Sequence, residues 1–312
     1  MTCDGPPVDK EYPERDSGAV WVKWFSIMRI KLSAQRAALL CATALFSTCG
    51  TIRYASAAEL KSNTAAAFDK YVAATEQRFT EELQPHGAFL YVDALGADER
   101  SADYARLKNG EILIDKRDTQ APGVSKDVPD GMVHHWVAVV FVPGVKLGQV
   151  ISVVKDYDHR AELYKPEVIA SRLVSHQGDD YKIFLRLYQK KFTTVVFNTD
   201  YDVRWGEVTP TELYSNSVSS RVAQVKDSDK PDGPEYPVGE GSGYLWRLNT
   251  YWRFEEKDGG VYIQCEALSL TRDIPTGLGW LLKPLVTKIP RESLTKALGR
   301  TREVVLQRAG KP

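Results

Sequence analysis

Several features are scarce in this 312-residue chain, and each absence narrows what the chain does. There is no net charge: 41 Lys and Arg balance 41 Asp and Glu, and the cations are scattered. A nucleic-acid partner therefore has no electrostatic support. Cysteine is sparse, with Cys3, Cys41 and Cys49 near the start and Cys265 far from them. If the chain is processed near Ala57, Cys265 stands alone and no intramolecular disulfide can form. Its place among apolar alternating residues marks it as a small buried hydrophobe, not a nucleophile. Only five histidines are present, and His134 and His135 are neighbours on an expected strand, where adjacent side chains point to opposite faces. Asp156, Asp158, His159 and Glu162 crowd one short helical turn, but solvated surface is the plainer account, since a zinc site takes three or four ligands. No metal and no other cofactor is expected.

The motifs of common catalysts are missing as well. Gly239-Glu240-Gly241-Ser242-Gly243 puts Glu240 where a nucleophile elbow needs glycine, and a strand follows it where the elbow needs a helix. The same stretch fails the dinucleotide pattern because Tyr244 replaces the last glycine. A flexible hinge explains it better. The apolar run AALLCATALFSTCGTI is diluted by Thr and Ser and is shorter than the ~20 residues a membrane span requires.

That run sits instead in the pattern of a secretory signal. Met28, Arg29, Lys31 and Arg36 form a basic start, and Ala55-Ser56-Ala57 offers a small-residue cleavage site. The expected division is 1–27 as an upstream extension, 28–57 as a signal peptide, 58–129 as a helical and loop extension, and 130–308 as the main domain. The expected location is the periplasm or the cell exterior. From Glu59 to Leu83 the residues Leu60, Phe68, Tyr71, Val72, Phe79 and Leu83 recur at helical spacing. Peripheral membrane contact through this helix is one reading. Its polar face is not strongly cationic, so packing across the main domain is the favoured one.

Beyond Asp130 the pattern gives a strand at 131–142, short helices at 147–154 and 157–163, and strands at roughly 168–176, 181–190, 193–204 and 213–225. A long Pro- and Gly-rich loop, Asp227–Gly243, comes next; loops of this length are often lids or binding loops. The last strands form a hairpin about Asp258-Gly259-Gly260, in a register that sets Phe254 opposite Ile263, Trp252 opposite Cys265 and Thr250 opposite Ala267. A one-residue slip would scramble both faces. Trp246, Leu248, Trp252 and Phe254 then make one bulky apolar face, and Arg247, Arg253 and Glu266 fall on the other. A helix over 276–306 closes the chain, with a break at Pro284, a fresh start at Pro290 and a buried stripe of Ile289, Ala297, Leu298, Thr301 and Val305.

This order of elements resembles the START-like superfamily, also called SRPBCC, on strand 131–142, the segment KDYDHRAELYKPEV, and WRLNTYWRFEEKDGGVYIQCEALSLTRDIP leading into the last helix. The resemblance covers about 130–306 and implies an α+β helix-grip fold, a curved antiparallel sheet wrapped around the C-terminal helix with a cavity between them. Trp246, Leu248, Trp252, Phe254 and Ile263 are the expected apolar wall, with Leu281 and Leu285 on the helical side. Arg186, Tyr188, Tyr251, Arg253 and Glu266 are candidate polar anchors for a carboxylate or phosphate headgroup. By alternation alone they belong to a solvated convex face with cross-strand ion pairs. The expected function is an exported protein that holds a hydrophobic small molecule or lipid. The alternatives are a cyclase-like enzyme using the same pocket, or an envelope interaction module with a filled core that uses the 59–83 helix as its contact surface. The sequence names no protein partner.

Overall fold

The hairpin that anchors the sequence pattern reverses at Asp258 and Gly259, both with positive φ (56° and 75°), a turn whose twist matches the strands it joins. In the computed structural model its ladder runs as the side-chain pattern requires, with Glu256 opposite Val261, Phe254 opposite Ile263, Trp252 opposite Cys265 and Thr250 opposite Ala267. The structure describes residues 58–310 apart from 86, 191–193 and 275–278, with the backbone alone over 279–287. The proposed upstream extension and signal peptide lie outside the described residues.

In chain order the elements are β1 (Ala58–Glu59), α1 (Ser62–Glu82), a single 3-10 turn (Tyr91–Ala94), α2 (Ala97–Lys108), β2 (Leu113–Lys116), β3 (Gly131–Pro143), α3 (Leu147–Val154), α4 (Arg160–Leu163), β4 (Val168–Gln177), β5 (Asp180–Lys190), β6 (Thr194–Thr209), β7 (Glu212–Gln224), β8 (Glu240–Gly241), β9 (Arg247–Lys257), β10 (Gly260–Arg272) and α5 (Gly279–Ala309). Eight strands form one antiparallel sheet in the order β2-β3-β10-β9-β7-β6-β5-β4. Irregularities in β4 against β5 and in β6 against β7 add the local bend and twist that let such a sheet curl. Helix α5 crosses the concave face, burying Leu294, Leu298, Val304 and Val305 among residues of β3, β9 and β10. This is a helix-grip architecture.

Helix α5 is continuous through Pro284 and Pro290, so the expected break and restart do not occur. The buried stripe includes Leu298, Thr301 and Val305 as expected, and it gains Leu294 and Val304.

The convex face is not solvated. Helix α1 lays Phe68, Tyr71 and Phe79 on Tyr251, Leu268 and Leu270. The segment that follows sets Phe89, Leu90, Val92 and Leu107 on Val139, Phe141 and Tyr262. Strands β3 and β10 are thus buried on both sides, which explains why MVHHWVAVVFV is nearly continuously apolar where a half-exposed strand would alternate. The apolar stripe of α1 is turned inward, as the favoured packing across the main domain requires. Among the described residues no helix is long and apolar enough to cross a membrane.

Candidate functional site

The two faces of β9 and β10 carry different chemistry. On the convex side, under α1, lies a cluster of buried charges. Arg253 (2% exposed) donates to Glu82 at 2.6 Å and to the Phe89 carbonyl at 2.5 Å, and its guanidinium lies 4.5 Å from the Phe79 ring centre. Glu266 (1% exposed) accepts from Arg78, which also holds Glu82 at 2.8 Å, and from Nε2 of His135. Tyr71 donates to Nδ1 of His135 at 2.8 Å and accepts from the Thr119 N–H at 2.8 Å, while Tyr251 donates to Glu76 at 2.8 Å.

Burial alone would raise the Glu266 carboxyl; the His135 hydrogen bond and the nearby Arg78 and Arg117 charges outweigh it and hold the group at about 2. Burial also keeps His135 neutral, its pKa lowered in spite of the adjacent carboxylate. The ion pair under α1 is therefore Glu266 with Arg78, and His135 contributes a neutral N–H. His134, on the opposite face, bonds Thr271 at 3.0 Å and is pushed down to about 4 by burial, with Lys116 adding to the shift.

Of the candidate polar anchors, Tyr251, Arg253 and Glu266 belong to this cluster. Arg186 and Tyr188 share the same sheet face further along β5. Arg186 bonds Asn198 at 2.7 Å and pairs with Asp232. All five are on the convex side, away from α5. Alternation places them there correctly but does not show that an extension covers most of them. Asp232 and Glu235 belong to the long loop after β7, and Arg221 pairs with Glu235. Further bonds run from the Lys226 N–H to the Pro234 carbonyl (2.9 Å) and from the Ser242 N–H to Gln224 (2.8 Å). The loop is fastened along the convex side and does not serve as a lid over the concave face.

Across the concave face two rows of side chains can be read from the register. One runs Ala138, Cys265, Trp252, Ser215, Trp205, and the next Trp136, Ala267, Thr250, Ser217, Val203. Small residues stand between the tryptophans, so the floor is uneven. Trp252, Leu248, Trp136 and Leu187 are only partly buried, whereas Phe254 and Ile263 beside them are fully sealed. Trp205 stacks on Phe254 at 5.6 Å and donates to the Tyr157 hydroxyl at 2.8 Å.

Four of the expected wall residues, Leu248, Trp252, Phe254 and Ile263, thus share the concave face. Trp246 does not. It packs on the convex side with Phe68 and Tyr251, because strict alternation holds only inside the ladder, and the β9 ladder begins at Arg247. The side chains of Leu281 and Leu285 lie outside the described residues. Sequence reasoning missed Trp136, Tyr157, Leu187, Tyr201, Trp205 and the serines of β7. The alternation of Tyr201, Val203 and Trp205 on β6 was the available signal, but no single motif joins that strand to β9.

His159 bonds Asp156 at 2.6 Å and Arg308 reaches the same carboxylate at 2.7 Å, so this acidic turn is a tie to the end of α5. Among the described residues no group of three or more His, Cys, Asp or Glu is arranged to hold a metal. An open groove of about 730 Å³ lies between α2 and the hairpin turn, and Lys108 in it is paired with Asp258 at 2.6 Å.

A bent antiparallel sheet gripping a C-terminal helix, with a partly open apolar floor between them, defines a helix-grip protein. In fold the chain is similar to a protein of Thermus thermophilus (TM-score 0.41, 18% identity, covering 56% of this chain and 98% of that one). It is also similar to a STAR-related lipid transfer protein fragment from Xanthomonas axonopodis (0.40, 16%, 58% and 96%). A third likeness is to the Zhui aromatase/cyclase of Streptomyces (0.39, 9%, 57% and 97%). No family model matches the chain, and no curated protein matches it in sequence.

Proposed function

We propose that this chain holds a hydrophobic small molecule, such as a lipid, quinone or polyketide-like compound, between the concave sheet face and α5. One observation carries the reading: Trp252, Leu248, Trp136 and Leu187 keep part of their surface uncovered over a floor of Ser, Thr, Ala and Cys, while the opposite face of the same strands is sealed. Apolar surface left open in the concavity of a sheet is surface a ligand can cover, at roughly 25 cal/mol per Å² before ordering costs. The pattern over Met28–Ala57 supports an exported role, so the ligand would be met outside the cytoplasm.

The test is native mass spectrometry of the chain starting at Ala58, with extraction of any co-purified molecule. A stoichiometric apolar passenger is expected. An empty protein that takes up neither a fluorescent fatty acid nor a quinone would reject the reading in favour of a filled core. Amino-terminal sequencing of protein recovered from the medium or periplasm is expected to begin near Ala58, and recovery only from the cytoplasm would remove the exported part.

A further inference from the structure

Beside the concave face, and among the described residues, Arg160 is a cation with a buried donor atom that has no partner. Arg160 opens α4 and turns its guanidinium inward over the Tyr157 ring, 4.7 Å from the ring centre. Its Nη2 donates to the Val154 carbonyl at 2.8 Å, but its Nε is buried and has no hydrogen-bond partner. The nearby carboxylates are engaged elsewhere: Asp156 by His159 and Arg308, and Asp158 by the Leu173 N–H at 2.8 Å. Among the described residues none pairs with Arg160.

Its charge is felt across the concave face. Burial raises the Tyr157 and Tyr201 hydroxyls (Tyr201 to about 12) and the Cys265 thiol, and in each case Arg160 pulls in the opposite direction. The guanidinium lies beside Tyr157, whose hydroxyl meets Trp205 of β6 on the concave face. The Tyr157 hydroxyl accepts from Trp205, which leaves its own proton free to donate toward the same space.

Resting on the pocket proposed above, we infer that Arg160 anchors an anionic headgroup, a carboxylate or a phosphate, on the bound hydrophobic molecule, with the Tyr157 hydroxyl as second donor. A guanidinium offers five donors in a fork suited to such an oxyanion, and a buried donor left unmatched is costly enough that a site usually supplies its partner. The competing role is structural: Arg160 would only cap the end of α3 through Val154.

Fluorescence titration with cis-parinaric acid and with its methyl ester separates these roles. The wild-type chain is expected to bind the acid about 10- to 100-fold more tightly than the ester, the span of a charge-assisted hydrogen bond. Arg160→Gln is expected to bring the acid down to the level of the ester and leave the ester unchanged, while Arg160→Lys keeps part of the preference. Displacement by dodecanoate against dodecyl phosphate then tells which anion fits. Equal binding of acid and ester by the wild type overturns the inference and leaves the pocket standing. So does an Arg160→Gln variant that melts earlier and loses both probes alike, which marks a helix cap. If neither probe binds the wild type, the pocket itself fails. The wild-type ratio decides the matter even if the variant does not fold.

Discussion

The two faces of the β9–β10 hairpin use the same backbone for opposite purposes. The convex face buries Arg253, Glu266 and His135 to 2% exposure or less, and matches nearly every polar atom with a partner from α1 or the segment after it. The concave face is mostly apolar, keeps two tryptophans partly open, and leaves the Arg160 Nε unmatched, while on the convex side Trp246 Nε1 and Glu255 Oε2 are the buried atoms without a partner among the described residues. A buried ion-pair cluster that is fully matched fixes one arrangement of two elements, here α1 on the sheet, without adding much net stability. A partly open apolar surface with one free donor is what a binding site looks like before its ligand arrives. Charge on this protein therefore marks the structural seam, and the scarcity of charge marks the proposed site.

The hardest way to break that contrast is Arg253→Ala. It leaves the Phe89 carbonyl without its donor, removes one of the two arginines that hold Glu82 and empties a buried site, and should cost about 3 kcal/mol, read as a lower urea midpoint. A loss below about 1 kcal/mol would mean that the cluster under α1 is dispensable. Acid should attack the same seam. His134 and His135 have folded pKa values below their ordinary 6.5, and Glu266 sits at about 2 against an ordinary 4.5. Each group takes up a proton more readily unfolded than folded, so stability must fall as pH falls. The histidine contribution is lost below pH 6.5, down to about 4 for His134, and the Glu266 contribution between 4.5 and about 2. Urea midpoints measured from about pH 8 to about pH 2 should decline in that order, and a flat profile would contradict these protonation states.

Much of this fold is legible in the sequence because the strands declare their own register. Bulky side chains at Trp252 and Phe254 cannot slip by one residue without exposing themselves, and the positive φ at Asp258 and Gly259 fixes where the hairpin turns. Alternation also places Arg253 and Glu266 on one face. It cannot report what covers that face, because the contact with α1 joins residues some 170 positions apart along the chain, as in Arg253 with Glu82. Arg160 was obscured for a related reason: within HRAELY it looks like any surface helix cation, and only its stacking on the buried Tyr157 ring gives it an interior place. Trp246 shows the limit of the method, since one residue outside a ladder is free of its parity.

On the concave side Trp252→Ala should separate binding from folding. The ring is partly open and stacks on Phe254 at 6.1 Å, so its removal is expected to cost about 1–2 kcal/mol in stability. Affinity for cis-parinaric acid should fall about 10-fold or more, since the ligand would lose its largest apolar contact. If both losses are equal, the tryptophan is plain core and the concave face is no site.

The smallest effect is expected where the long loop meets the convex face. Asp232 is 91% exposed and pairs with Arg186, a surface contact of the kind worth roughly 0–1 kcal/mol. Asp232→Asn should therefore shift the urea midpoint barely at all and leave probe affinity and dissociation rate unchanged, because the loop is tied to the side of the sheet that faces away from α5. A variant that folds as well as wild type yet releases the probe several-fold faster would show that the loop reaches the concave mouth in solution. The division of labour between the two faces would then have to be redrawn around that loop.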